Sequence, residues 1–367
     1  MTLLCSVNKG FVATLVLAGL SGCMTGGDAD RVSYPDDKTV KSIRASAETP
    51  PVPGSDDAAD DPAIWIHPQD RTKSLVIGTD KKSGMLVYDL EGNQIQFLGD
   101  GEPNNVDIRQ AVVIDGRVVD IAVTSDRADN SIGLYSVTAD GLERLGRVAS
   151  ILPEPYGICM ASFNDALQAI VSYKTGELVL YDLAYADQEW SAKTTLLARF
   201  DSQLEGCSVD ESLGYLYVGE EVRGIWGLHV AHHNGVWMKS EARLLDEIES
   251  DSGLVADVEG LDWFVTSSGE RMLVVSSQGN DSFAIYSVDA LDGVSLNFRG
   301  RFRVQEDLAG SGIDGAQETD GLAVTGSNLN AQYPEGLLVI QDGFNAPEGS
   351  AQNFKFIDLR ELSDFLE

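Results

Sequence analysis

The sequence predicts an all-β fold, and within that class a six-bladed β-propeller. A strand signature of apolar, aromatic, small or acidic, apolar residues recurs along the chain. It appears as Val87-Tyr88-Asp89-Leu90, Leu134-Tyr135-Ser136-Val137, Leu180-Tyr181-Asp182-Leu183, Ile225-Trp226-Gly227-Leu228 and Ile285-Tyr286-Ser287-Val288, and more loosely as Phe356-Ile357-Asp358-Leu359. The spacing is roughly 45 to 70 residues, at or somewhat beyond propeller-blade length. Helix-period patterning is nearly absent outside a short tail from Arg360 to Glu367. Short strands in regular groups with Gly-rich turns fit a propeller. A pair of β-sandwiches is the competing architecture, but it gives no reason for a repeat that runs the whole length.

The chain opens with an export signal. Lys9 precedes an apolar run from Phe11 to Leu20 that is too short to span a bilayer comfortably. The run ends in Leu20-Ser21-Gly22-Cys23, which resembles a bacterial lipobox. Residues 1–22 then read as a lipoprotein signal peptide, with cleavage before Cys23 and a lipid anchor on it. An ordinary cleaved signal peptide with a chance cysteine is the bland reading. Residues 23–49 are polar and read as a flexible tether, leading through Pro50-Pro51-Val52-Pro53 into the domain at 50–367. Ring closure is expected to use a strand from near Lys38 to Ser46 beside the last blade. The expected location is the bacterial envelope, lipid-anchored at the outer membrane, or outside the cell.

Beyond Cys5 and Cys23 only Cys159 and Cys207 remain. Export permits a disulfide, but two buried thiols are the expectation. Fifty-eight acidic residues against 26 basic give a net charge of -32. Nucleic acid and anionic lipid surfaces are therefore excluded as partners of the globular part. An anionic substrate would also be repelled unless bound cations invert the local field.

Each repeat carries two further runs before the signature. One is apolar, such as Ile121-Ala122-Val123 or Met272-Leu273-Val274-Val275. The other is a strand start such as Asp61-Pro62-Ala63, Glu205-Gly206-Cys207 or Asp320-Gly321-Leu322. In a propeller the first strand of each blade lines the channel, and its start shares a face with the loop between the second and third strands. One face therefore collects Asp61, Asp107, Tyr156, Glu205, Glu259 and Asp320 from strand starts. The loops add Lys81, Lys82, Arg127 and Lys174 from early blades. Later blades add Glu220, Glu221 and Arg223, then Gln278, Asn280 and Asp281, then Asp342 and Asn345. A single strand-start Asp is ordinarily a turn or cap residue, and an isolated Lys-Lys is ordinarily solvated. Recurrence at one position of the repeat is what sets these apart.

The ligand set is almost wholly oxygen, which favours calcium over magnesium or manganese. No His/Cys cluster has zinc spacing; His232 and His233 sit beside Asn234-Gly235 in an apparent hairpin tip, and His67 in a turn. Gly-x-Ser-x-Gly, a phosphatase Cys loop, Arg-His-Gly and a Walker loop are all missing. Phosphate-ester cleavage would have to use metal-activated water.

The residues resemble the β-propeller phytases from about residue 50 to 367. The matching stretches are DDPAIW at Asp60–Trp65, DKKSG at Asp80–Gly84, NNVDIR at Asn104–Arg109 and GEE at Gly219–Glu221. DVEGL at Asp257–Leu261, SSQGNDSFAIY at Ser276–Tyr286, ETDG at Glu318–Gly321, QDG at Gln341–Gly343 and QNFK at Gln352–Lys355 follow in order. The resemblance implies a calcium-dependent 3-phytase with several calcium ions. It removes phosphates from myo-inositol hexakisphosphate, taken as its calcium complex, by attack of a calcium-activated water. It implies phosphate contacts from Lys81, Lys82, Arg127, Tyr156 and Lys174, and Arg223 is counted with the substrate-binding cations. Glu205 and Glu221 join Lys81, Arg127, Tyr156 and Lys174 as catalytic residues. Calcium ligands on the catalytic face would be Asp60, Glu205, Glu221, Asp257, Glu259, Gln278, Asp314 and Asp320. Asp61, Asn104 and Val106 resemble a more structural calcium site. Thr175 follows Lys174 where the family pattern has Glu. A monomer is expected. A calcium-dependent lactonase or esterase propeller, or a non-catalytic envelope propeller that binds a protein or glycan, are the other readings.

Overall fold

The computed structural model describes residues 39–291, 293–345 and 351–366. The expected signal peptide, the expected anchor at Cys23 and most of the segment read as tether lie outside the described residues. The described residues form six sheets, antiparallel apart from one added edge strand, the six blades of a β-propeller. Blade one is Ala59–Trp65, Leu75–Asp80, Gly84–Tyr88 and Gln94–Leu98. Blade two runs from Pro103–Ile114 to Gly141–Ala149, and blade three from Pro155–Phe163 to Glu189–Arg199. Blade four opens on Leu204–Asp210, blade five on Val258–Val265 and blade six on Leu322–Thr325.

The recurring signature has a packing cause. Its second residue points from the third strand of a blade toward the preceding blade. Tyr135 packs with Ala63, Ile77 and Val87 of blade one, and Tyr286 with Tyr217 and Ile225 of blade four. Tyr88 does the same across the seam, against Val339, Phe354 and Phe356 of blade six. The middle strands are sandwiched between neighbouring blades, so Leu75–Asp80 and Gly84–Tyr88 are buried throughout. The outer strand Gln94–Leu98 is largely exposed. The strand-start glycines answer a second constraint, the crowding of backbones at the channel. A Cβ on Gly157 would lie 1.9 Å from the Glu205 carbonyl, and one on Gly206 2.6 Å from the Glu259 carbonyl. The histidine-bearing hairpin of blade four turns at Asn234-Gly235, both at positive φ, as its strands Gly224–His233 and Val236–Lys239 require.

Four expectations are corrected. Residues 40–49 are not tether. Val40–Ile43 adds a parallel strand to the outer edge of blade five, and Ala47–Glu48 closes blade six against Ala351–Asp358. Ring closure therefore falls one step later than Lys38–Ser46, and that segment serves two blades. Ile43 is buried and the Thr49 amide donates to the Phe354 carbonyl, contacts that a polar composition hides. Cys159 and Cys207 form a disulfide rather than two thiols. They sit on the adjacent innermost strands of blades three and four with Cα atoms 5.6 Å apart, inside bonding range. Asp107 is not at a strand start. Its strand begins at Pro103, so Asp107 lies down the channel, where it accepts from the Met160 amide at 2.7 Å.

Candidate active site

Strand-start side chains and inter-strand loops from several blades meet on one face. Glu205, Glu221 and Glu259 bring one carboxylate oxygen each to within 4.8 Å of one another. Glu205 and Glu259 are buried and Glu221 is half-buried. Glu259 Oε2 is buried without a hydrogen-bond partner. Burial and then the neighbouring Glu205 charge hold the Glu259 carboxyl well above its ordinary range. The same causes push Glu221 up to about 7, although Gln203 donates to its Oε1. The Asp257 charge adds to that push, and its carbonyl accepts the Gln278 amide at 2.9 Å.

Beside this cluster stands Lys81. Its Nζ lies 2.7 Å from Asp57, 2.8 Å from Asp60 and 3.4 Å from Asp320. Burial pulls the ammonium down, but Asp60 and Asp320 outweigh it and keep Lys81 firmly charged. Burial lifts Asp60 to about 6 against the pull of Lys81, and burial followed by repulsion from Asp60 holds Asp320 well above its ordinary range. Gln278 donates to Asp320, and Asn104 Nδ2 bridges Asp60 at 2.9 Å and Glu205 at 3.2 Å. Asn104 Oδ1 is left buried and unpartnered. Arg127 Nη2 reaches the Lys81 carbonyl at 3.5 Å. Exposed Lys174 places Nζ 4.3 Å from the Tyr156 ring centre. The Tyr156 phenol is held protonated first by burial and then by Glu205, Asp60, Glu259 and Glu221. A cationic side and an anionic side thus share this face.

A phytase family model matches residues 9–367. The 3-phytase of Bacillus subtilis (strain 168) is 34% identical over 372 residues, covering 96% of this chain and 93% of that protein. The chain belongs to the phytase family. The solved structure of a luciferin-regenerating enzyme shares the fold alone, with TM-score 0.50 and 12% identity over 84% of this chain and 96% of that one.

The donor set of this phytase fits a hard divalent cation. Three glutamates converge with one oxygen orphaned, and burial followed by repulsion from Glu205 pushes Glu221 and Glu259 toward protonation. Other predicted residues have partners of their own. Asp61 accepts the Val106 amide at 3.1 Å, tying blade one to blade two. Asp314 belongs to a separate knot around Lys355. Lys82 donates to the Ser55 carbonyl, and exposed Arg223 faces Glu247 at 3.5 Å. Thr175 donates to Glu177, which also pairs with Arg199. Asp57, Gln203 and Asp262 were not legible as partners. Asp57 hides in an acid-rich loop and Gln203 outside any motif. Asp262, which accepts from Ser208 and the Val324 amide, sits mid-strand.

Proposed function

We propose that this phytase hydrolyses phosphomonoesters of myo-inositol hexakisphosphate with calcium ions on the face around Glu205. One observation carries the reading: the cations Lys81, Arg127 and Lys174 stand beside a converging cluster of three glutamates. Asp60, Glu205, Glu221, Asp257, Glu259, Gln278 and Asp320 would hold the ions, with Asp61, Asn104 and the Val106 carbonyl as a structural set. Calcium, when bound, neutralises the acidic face and activates water for attack on phosphorus. Lys81, Arg127 and Lys174 bind and orient phosphate and stabilise charge on its non-bridging oxygens. Glu221, half-buried beside Glu205, accepts a proton at Oε2 while Gln203 donates to Oε1. Tyr156, kept protonated, offers a hydroxyl donor.

The export and anchor reading rests on Leu20-Ser21-Gly22-Cys23 and is supported by the Cys159–Cys207 disulfide, which suits an oxidising compartment. A monomer completes the reading.

Phosphate release from inositol hexakisphosphate is the test, with chelator and with calcium restored. Loss and recovery are expected. Calcium-dependent lactone or carboxylic-ester cleavage without phosphate release would replace this reading with the lactonase one. Calcium-independent binding without turnover would replace it with the binding-module one.

A further inference from the structure

The Lys81 ammonium has three N–H donors, and three carboxylates take them. A phosphate oxygen reaches it only when one carboxylate leaves. The three are held unequally. The Asp60 side chain is 1% exposed, and its second oxygen accepts from Asn104. The Asp320 side chain is 11% exposed, and its second oxygen accepts from Gln278. The Asp57 side chain is 72% exposed and lies before the first strand of blade one, next to Asp56 at φ 57°. Lys81 is its partner among the described residues.

We propose that Asp57 is a substrate-competing latch. Its carboxylate occupies the place at Lys81 Nζ that a substrate phosphate oxygen takes, and it moves into solvent when phosphate docks. The other two carboxylates yield less readily, because each is buried and is also held through its second oxygen, Asp60 by Asn104 and Asp320 by Gln278. A doubly charged phosphate displaces Asp57; a singly charged carboxylate ligand gains nothing by the exchange. Asp57 therefore sets the affinity of the site and favours phosphate over weaker anions.

The inference rests on Lys81 as a phosphate contact, and the test separates the two. Inorganic phosphate is titrated calorimetrically into the full-length calcium-loaded protein, for the wild type, Asp57→Asn, Asp57→Glu and Lys81→Met. Asp57→Asn is expected to bind phosphate roughly three- to fivefold more tightly, the worth of an exposed ion pair. Its KM for inositol hexakisphosphate should fall in step. Asp57→Glu keeps the charge and should match the wild type. Unchanged or weaker binding by Asp57→Asn overturns the latch; weaker binding would make Asp57 a ligand of the loaded site instead. If Lys81→Met binds phosphate as the wild type does, the phosphate role of Lys81 fails with it. If Lys81→Met weakens binding while Asp57→Asn changes nothing, only the latch fails.

Discussion

Two buried lysines in this molecule stand in similar surroundings and do different work. Lys355 is fully buried and faces Glu48, Asp314 and, at 3.2 Å, Asp342. Lys81 is 8% exposed and faces Asp57, Asp60 and Asp320. The partners of Lys355 come from the ring-closing strand, the 305–321 connection and blade six, and the most exposed of them is 30% exposed. One partner of Lys81 stands 72% exposed. The first constellation is sealed and joins the ends of the ring. The second has a partner that can leave, and it opens onto the glutamate cluster. The accessibility of the third carboxylate thus separates a structural knot from a functional site of the same composition.

The widest expected separation comes from removing each ammonium. Lys355→Met leaves buried carboxylates uncompensated and should cost about 3–5 kcal/mol of stability, read as a fall in denaturation midpoint. Lys81→Met should lose less stability. Its activity on inositol hexakisphosphate should fall by about 2–4 kcal/mol of barrier, the worth of one transition-state contact. Equal losses of stability in the two variants would erase the distinction drawn here.

A smaller effect is expected from pH in the chelated protein. Burial lifts Asp107 and Asp342 to about 7 and Asp262 to about 6, from ordinary values of 3.8. Their folded pKa values exceed the unfolded ones, so the folded chain keeps protons that the unfolded chain releases. The destabilisation is full above about pH 7 and is relieved as pH falls toward 4. The net charge of -32 acts in the same direction through self-repulsion. The denaturation midpoint in chelator should therefore be higher at pH 5 than at pH 8. A midpoint that falls on acidification would mean that carboxylates gaining partners on folding dominate instead.

Much of this was legible in the sequence because a propeller repeats. The six signatures mark third strands, and the strand starts Glu205-Gly206, Glu259-Gly260 and Asp320-Gly321 mark the site. The glycine beside each acid is required by the next blade's backbone, so fold and site are written in the same dipeptide. Features without a repeat partner were not legible. Ring closure through Ala47–Glu48 is a single non-local event, and Glu48 meets Lys355 across some three hundred residues of chain. The Cys159–Cys207 bond depends on two inner strands lying in matched register, which spacing alone cannot specify. Asp57 pairs with Lys81 while its neighbour Asp56 faces Ser55, a difference their shared residue type does not show.

The calcium-induced rise in melting temperature, compared between the wild type and Glu259→Gln, reports whether calcium binds at the glutamate cluster. Glu259 is pushed toward protonation without metal, so the neutral isostere should melt in chelator at or above the wild-type temperature. Calcium stabilises by binding the native state, and the variant removes one of three converging carboxylates. The expected result is a clear upward shift with calcium in the wild type and a much reduced shift in Glu259→Gln, with phosphate release lost in parallel. The same calcium shift and full phosphate release in both proteins would contradict the assignment of this face as the calcium site.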